Sequence, residues 1–355
     1  MIPSLYDYTK EELKTLVDKP FRAKQLVGAL YHQYVTSFDD ITTFSKASRQ
    51  DLSEKYRLSP SKIIREEISN DGSRKYLLEM EDGHTCEAVL LLMKDEQLDP
   101  EGKTVKQAQY TVCISTQIGC KVGCTFCLTA KGGFIRNLTA GEIVSQMVEI
   151  KRLHNFPPEK RLNIVYMGMG EPLDNFDNVV KAITIFSDPD GLAIAPRRQT
   201  ISTSGISSKI KKLGELELDI QLAISLHAVD NDLRQELIPM NKAFPIETII
   251  EAVKNFPMRH RRSVLFEYLV IKDVNDDKKS AKKLIKLLDG IKAKVNLIYF
   301  NPFPGTSYKR PTDKAMKDFQ QYLADAKVMC TIRQSKGLDI SAACGQLKEQ
   351  TEKER

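Results

Sequence analysis

From residue 110 to residue 300 the chain alternates six times between a short apolar run and a stretch of helical period, and no other feature constrains its fold as tightly. The apolar runs are YTVCIS (110–115), LNIVYM (162–167), QTIST (199–203), IQLAIS (220–225), VLFEYLVI (264–271) and KVNLIYF (294–300). Between them lie AGEIVSQMVEIKRL, DNVVKAITIF, IETIIEAVKNF and AKKLIKLLDGI, each with apolar residues on one helical face. Strands that are mostly apolar without alternation are buried on both sides, so the pattern predicts a parallel sheet with helices packed outside. Six units are too few to close an eight-stranded barrel, which leaves an open, partial (β/α)6 barrel. In such folds the chemistry sits at the C-terminal ends of the strands.

The remaining sequence divides around this core. Residues 1–60 read as a helical accessory segment: Thr9 and Glu12 form a capping box, a second helix starts near Pro20, and Ser45 caps a third. Residues 61–108 read as a β-meander plus linker, with strands IIREEI, KYLLEM and CEAVLLLM broken by Asp71-Gly72 and Asp82-Gly83, and a polar stretch over 94–108. The barrel is assigned to 109–330 and a mobile C-terminal segment to 331–355. The expected class is therefore α/β: a partial barrel with a small α+β N-terminal accessory domain. A chain of 355 residues has room for this arrangement.

Composition narrows the setting. No run of about 18 apolar residues is present, so no membrane span is expected, and MIPSLYDYTKEELK lacks the features of a signal peptide. Seven cysteines, three of them packed together, fit metal and redox chemistry in a reducing cytoplasm better than a disulfide framework. The net charge of +6 is modest, but basic residues cluster at Arg197-Arg198, at Arg259-His260-Arg261-Arg262, at Lys278-Lys279 with Lys282-Lys283, and at Lys309-Arg310. Such patches suit phosphate-backbone contact, although the lysines near 280 also fit a solvated helix face. The Met258–Arg262 stretch, just before a strand, is the stronger nucleic-acid candidate.

Cys120, Cys124 and Cys127 stand as C-x3-C-x2-C directly after the first apolar run. Three thiolates at that spacing suit a [4Fe–4S] cluster with one iron left open, a position that S-adenosylmethionine fills in many proteins. The competing reading is a structural zinc site, which wants four ligands, and only Cys113 stands near as a fourth.

Other polar groups gather at the predicted strand ends. The second strand ends in Gly168-Met169-Gly170-Glu171-Pro172, where glycines let backbone approach a ligand or simply make a tight turn. The third ends in Ser202-Thr203-Ser204-Gly205, the fourth in Ser225-Leu226-His227, and the sixth in Asn301-Pro302-Phe303-Pro304-Gly305. Each is weak alone, but together they line one rim. Cys344 lies among small residues past the last of these strands. Cys86 and Glu87 open the last meander strand and, as strand neighbours, face opposite sides. Cys86 and Cys330 read as buried small hydrophobes. His84, His154 and His260 have no catalytic partner pattern.

The ordered set ISTQIGCKVGCTFC, GF-x-RNLTA-x-EI, GMGEPLDN, STSG, SLHA, YFNPFPG and SAACGQL resembles the RlmN family of radical S-adenosylmethionine RNA methyltransferases over about residues 85–347. The resemblance implies that Cys120, Cys124 and Cys127 hold the cluster, and that Gly170, Glu171, Ser202, Ser225, Leu226, His227 and Asn301 bind S-adenosylmethionine. It implies that Cys344 carries the methyl group, that Cys113 is its resolving partner in a transient disulfide, and that Glu87 is the proton acceptor. The implied reaction is methylation at C2 of an adenine, at position 2503 of 23S rRNA and position 37 of tRNA. Two S-adenosylmethionines are used per turnover: one methylates Cys344 by displacement, and the other yields a 5′-deoxyadenosyl radical that activates the S-methyl group. Either Glu87 or Cys113 can serve as the base that removes the C2 proton. Implied partners are 23S rRNA before full ribosome assembly, tRNA, and an electron donor such as flavodoxin or ferredoxin, with the protein acting as a monomer. Phe21-Arg22-Ala23-Lys24-Gln25 either grips RNA or packs on the barrel. The related C8 methyltransferases of 23S rRNA share the cysteines, and the proline after Glu171 sides with the C2 branch. A zinc-stabilised RNA-binding protein without catalysis is the rival of another class.

Overall fold

The computed structural model describes residues 2–258 and 262–348. Arg259, His260 and Arg261 of the basic stretch lie outside the described residues. The chain opens with α1 (Lys10–Leu16), α2 (Pro20–Tyr31) and α3 (Lys46–Lys55), in which Thr9 and Glu12 cap α1 reciprocally, Pro20 takes the first position of α2, and Ser45 caps α3. These helices pack on the outside of the barrel: the Asp7 carboxylate accepts the Gly141 N–H at 2.7 Å, and Lys181 and Lys24 pair with Glu12 and Asp190. Within the Phe21–Gln25 stretch, Ala23 is buried, Arg22 pairs with Asp18 and stacks over Phe44, and Phe21 is exposed.

An antiparallel meander follows, β1 (Ser61–Ile68), β2 (Arg74–Met80) and β3 (Thr85–Lys94). The polar stretch expected to be a linker instead contains a small exposed hairpin, β4 (Gln97–Leu98) with β5 (Thr104–Lys106), closed by Asp99, whose carboxylate accepts backbone N–H groups of Glu101 and Lys103. Then comes the first barrel strand, β6 (Gln109–Cys113). The meander is not a separate unit. Strand β3 pairs antiparallel with β6, Val89 opposite Cys113, so one sheet runs through both parts.

The cysteine loop is framed by β7 (Gln117–Gly119) and β8 (Phe134–Asn137) and contains the short α4 (Leu128–Lys131). The barrel continues through α5 (Ala140–Leu153), β9 (Leu162–Tyr166), α6 (Phe176–Ser187), β10 (Gln199–Thr203), α7 (Ser207–Glu215), β11 (Gln221–Ser225), α8 (Asn231–Leu237), α9 (Ile246–Lys254), β12 (Val264–Val270), α10 (Lys278–Leu287), β13 (Ala293–Tyr299), α11 (Asp313–Asp325) and β14 (Cys330–Arg333). The ten-stranded order is β1-β2-β3-β6-β9-β10-β11-β12-β13-β14, parallel from β6 onward. Six β/α units are present as expected. A seventh parallel strand, β14, then closes the far edge and carries the sheet past residue 330. Its side chains are of mixed polarity and partly exposed, as an edge position allows. Among the described residues no helix is long and apolar enough to cross a membrane.

After β14 the chain turns back over the strand ends. The Asp71 carboxylate accepts the Gly337 N–H at 3.0 Å, and the Asp339 carboxylate accepts from the Ser69 hydroxyl (2.5 Å) and the Asn70 N–H (2.9 Å). Leu128 donates its N–H to the Gly345 carbonyl at 2.7 Å. The segment expected to be mobile is thus hydrogen-bonded along its described length.

Helix α5 packs against the N-terminal 3-10 turn Leu5–Asp7, and its capping box joins Thr139 to Glu142. Thr139→Ala should lower stability by about 1 kcal/mol, the usual value of an N-cap. An earlier denaturant midpoint at unchanged slope is the expected result.

Candidate active site

The three cysteines lie on a loop pinched at its base, where the Cys120 N–H donates to the Gly133 carbonyl at 2.7 Å and Cys127 N–H to the Cys124 carbonyl at 3.2 Å. Gly119 must be glycine here: its φ is +72°, and a Cβ would lie 2.0 Å from the Gly133 oxygen. All three cysteines line one cleft at the strand ends, with Tyr166, Gly168, Gly170, Glu171, Ser202, Ser225, His227, Glu267 and Asn301 around it. Its free volume, open mouth included, is about 1020 Å³, ample for a nucleotide-sized ligand.

The donor set fits a cluster better than a single ion. Among the described residues no three His, Cys, Asp or Glu side chains converge as ligands of one metal ion do. A cubane places its thiolates on different corners, whereas zinc gathers four around a point. Burial pushes the Cys120 thiol up to about 12, and raises Cys124 and Cys127 as well, so bare thiols stay protonated until a bound cation replaces the proton.

The rim around the cluster loop is held rigidly. The Glu171 carboxylate, raised above its ordinary pKa by burial, accepts the Ser204 N–H at 2.7 Å and the Leu173 N–H at 3.0 Å, tying the ends of β9 and β10 together. A Cβ on Gly168 would meet the Ile114 carbonyl at 2.7 Å, so that glycine serves close packing as well as the cleft wall. Ser202 and Ser225 face each other with hydroxyls 3.4 Å apart. His227 accepts the Leu269 N–H at Nδ1 (3.1 Å), and burial followed by the Arg234 charge pushes its pKa down to about 3, leaving a neutral ring. Leu226 is not brought to the cleft. Its side chain is fully buried in the core and its backbone carbonyl accepts from Arg234.

Asn301 is the rim residue most clearly left for a ligand. Its Oδ1 accepts from Arg310 (2.8 Å) and the Ser335 hydroxyl (3.0 Å), which fixes the amide orientation because arginine only donates. Its buried Nδ2 has no partner. A buried amide donor without an acceptor is costly, and a bound nucleotide relieves it.

Cys113 and Cys344 come together although the whole length of the barrel separates them in the chain. Both line a second cavity with Val89, Met167, Arg333 and Leu347, and Cys344 also lines the cluster cleft. Burial pushes the Cys113 thiol up to about 12, the Cys344 sulfur adds to this, and Arg333 opposes it. Glu87 lines neither cavity. It is almost fully buried on β3, with Oε1 3.2 Å from the Lys75 ammonium and Oε2 accepting the Lys348 N–H at 3.0 Å, and burial raises its pKa while Lys75 pulls it back.

Two arginines escaped sequence reasoning. Arg333 lines the second cavity, with Nη1 3.6 Å from the Met167 sulfur and 3.7 Å from the Glu267 carboxylate. It ends β14, so the strand-end rule finds it once a seventh strand is counted. Arg234 is fully buried and donates to the carbonyls of Ser204, Ser225 and Leu226 and to Asn241, stitching two rim loops together. An arginine in NDLRQEL gives no such signal. The basic clusters divide by position: Arg197-Arg198 and Arg262 precede strands and lie at the opposite end of the barrel from the cleft, and Arg262 is already paired with Asp219. Lys309-Arg310 follow β13, on the cleft side, and Arg310 stacks over Tyr299.

A partial parallel barrel with this cysteine loop at its mouth defines the radical S-adenosylmethionine class: residues 114–285 match the radical SAM superfamily, whose members use a [4Fe–4S] cluster and S-adenosylmethionine. Residues 4–58 match the ribosomal RNA large subunit methyltransferase N-terminal domain. The protein named dual-specificity RNA methyltransferase RlmN of Aliarcobacter butzleri is 62% identical over 98% of this chain and 97% of its own. That of Wolinella succinogenes is 61% identical over 99% and 98%. The crystal structure of a radical SAM methyltransferase from Sphaerobacter thermophilus superposes with a TM-score of 0.88 at 38% identity, covering 97% of this chain and 99% of that one. The chain belongs to the RlmN family.

The Cys113 environment is testable without turnover. Its raised pKa means that thiolate appears only on approach to about 12. Alkylation by iodoacetamide should therefore rise about tenfold per pH unit from about 7 to about 10 without a plateau. Arg333→Met removes the opposing charge and should slow Cys113 alkylation at every pH, as read by peptide mass spectrometry. A plateau near neutral pH contradicts the assignment.

Proposed function

We propose that this protein methylates C2 of adenine in RNA, at position 2503 of 23S rRNA and position 37 of tRNA, through a methyl group carried on Cys344. The observation that carries the reading is the placement of Cys344 on the wall shared by the cluster cleft and the Cys113 cavity. Adenine C2 has no nucleophilic lone pair, so a methyl group cannot reach it by direct displacement. Cys120, Cys124 and Cys127 hold the cluster, and Gly170, Glu171, Ser202, Ser225, His227 and Asn301 form the nucleotide-binding rim. When bound, the cluster and S-adenosylmethionine supply a methyl group for a thiolate and, on reduction, a carbon radical that removes hydrogen from an S-methyl group.

The chain's own residues perform the rest. The Cys344 thiolate takes a methyl group by displacement: its S–C bond forms as the sulfonium S–C bond breaks, leaving a neutral thioether. Once the methylene joins sulfur to C2, the adduct gives its C2 proton to a base and one electron that the oxidised bound cluster would accept. Cys113, releasing any proton it took up, then attacks the Cys344 sulfur as thiolate. The S–S bond forms, the C–S bond breaks with its electron pair passing to carbon, and a proton completes the methyl group. External thiols then reduce the disulfide. Of the two candidate bases the geometry favours Cys113, which faces the cavity, over Glu87, which lines neither. The target adenine has to leave its stack to reach this depth, which favours rRNA not yet folded into a full ribosome. Electrons come from a small donor such as flavodoxin or ferredoxin. The protein works as a monomer in the cytoplasm, where free thiols and a cluster survive.

Nucleoside mass spectrometry on RNA from cells lacking the protein should show loss of 2-methyladenosine from both RNAs, restored by the wild-type chain. Product at C8 alone overturns the reading. Cys113→Ala should accumulate a covalent protein–RNA adduct, and Cys344→Ala should give neither adduct nor methylated RNA.

A further inference from the structure

Cys344 sits in a stretch that, past one 3-10 turn at Leu338–Ile340, has neither helix nor strand, between two contacts that both come from the meander. On one side the Asp71 carboxylate, in the β1–β2 turn, accepts the Gly337 N–H at 3.0 Å. On the other the Glu87 carboxylate, on β3, accepts the Lys348 N–H at 3.0 Å. The Glu87 contact is the buried one. Its second oxygen is committed to Lys75 at 3.2 Å, itself nearly inaccessible, so the charge is neutralised without help from solvent. Glu87 is rigidly mounted: its N–H points to the Met169 sulfur and its carbonyl accepts the Ser115 hydroxyl at 2.6 Å. The strip between the two anchors also docks on α4, through Gly345 and Leu347.

We infer that Glu87 is a clasp: its carboxylate holds the Lys348 backbone N–H and thereby seats Cys344 at the wall shared by the two cavities, making Glu87 a positioning residue and the meander the bracket for the methyl-carrying strip. This rests on the reading of Cys344 as methyl carrier. A base and a clasp differ in which half of the reaction they serve. Removal of the C2 proton belongs to the second half and needs RNA. Seating Cys344 matters already in the first half, when its sulfur accepts a methyl group from S-adenosylmethionine with no RNA present. An amide oxygen in place of the carboxylate still accepts an N–H, whereas a proline at 348 removes the donor while leaving the Glu87–Lys75 pair intact.

The experiment supplies anaerobic, cluster-loaded, unmethylated enzyme with S-adenosylmethionine alone and follows methylation of Cys344 by peptide mass spectrometry. Hydrogen exchange of residues 337–348 is measured on the same proteins. Glu87→Ala and Lys348→Pro should slow methylation by roughly tenfold or more, the scale of losing a hydrogen bond to a charged group. Glu87→Gln, which keeps an acceptor, should be slowed less than Glu87→Ala, and Lys348→Ala, which keeps the N–H, less than Lys348→Pro. Exchange should rise in the strip but not in α5. If Glu87→Ala leaves both methylation and strip protection unchanged while abolishing product with RNA, Glu87 is the base and the clasp is wrong. If Lys348→Pro alone leaves both readouts at the wild-type level, the clasp is also wrong. Absence of methyl on Cys344 in the wild-type enzyme would defeat the carrier reading instead, and the exchange data would still decide the clasp.

Discussion

The backbone hydrogen bonds that hold residues 337–348 across the strand ends are what the remainder of the site depends on. Gly337, Gly345 and Lys348 are each tied through main-chain atoms, to Asp71, Leu128 and Glu87. These contacts put a cysteine from the far end of the chain between a cluster loop and a thiol on the first barrel strand. Without them the barrel still has a cleft lined by three cysteines, but no thiol shared between that cleft and the Cys113 cavity. The meander, which adds three antiparallel strands to the edge of a parallel sheet, supplies two of the three anchors.

Burial sets the electrostatics of the same region. The thiols of Cys120, Cys124, Cys127 and Cys113 are all pushed toward the neutral form, and so is His227. Against this stand two cations with different tasks, Arg234 buried and Arg333 half-buried. Arg234 spends its donors on rim carbonyls and fixes loop geometry. Arg333 faces the thiol pair, where its charge favours thiolate at a site that burial alone makes unreactive. The glutamates join separate segments of the chain: Glu171 reaches Ser204 with one oxygen and braces its own loop at Leu173 with the other, and Glu87 reaches Lys75 and Lys348.

Much of this was legible in the sequence. The six strand–helix alternations and the caps at Thr9 and Ser45 are local signals that tertiary packing did not override. The seventh strand was not legible as part of the barrel, because it lacks the long apolar run of the other barrel strands: Cys330–Arg333 is a four-residue edge element with mixed polarity. The hairpin over 97–106 escaped because its strands are two and three residues long and wholly exposed. At the rim, Ser225 and His227 line the cleft while Leu226 between them is buried in the core, and His227 sits past the end of β11 in a left-handed conformation (φ +59°) that the strand pattern does not announce. Arg234 and the Glu87–Lys348 contact depend on residues brought together only by folding, and no local pattern announces them.

The central claim is that Cys344 and Cys113 act on one another as carrier and release thiol. The direct measurement is peptide mapping of thiol-blocked enzyme after a single turnover with RNA under anaerobic conditions. A Cys113–Cys344 disulfide should appear in an amount matching the methylated adenine and be absent before RNA is added. A full equivalent of product with both thiols still reduced, or a disulfide joining either to Cys86 or Cys330, would contradict the account.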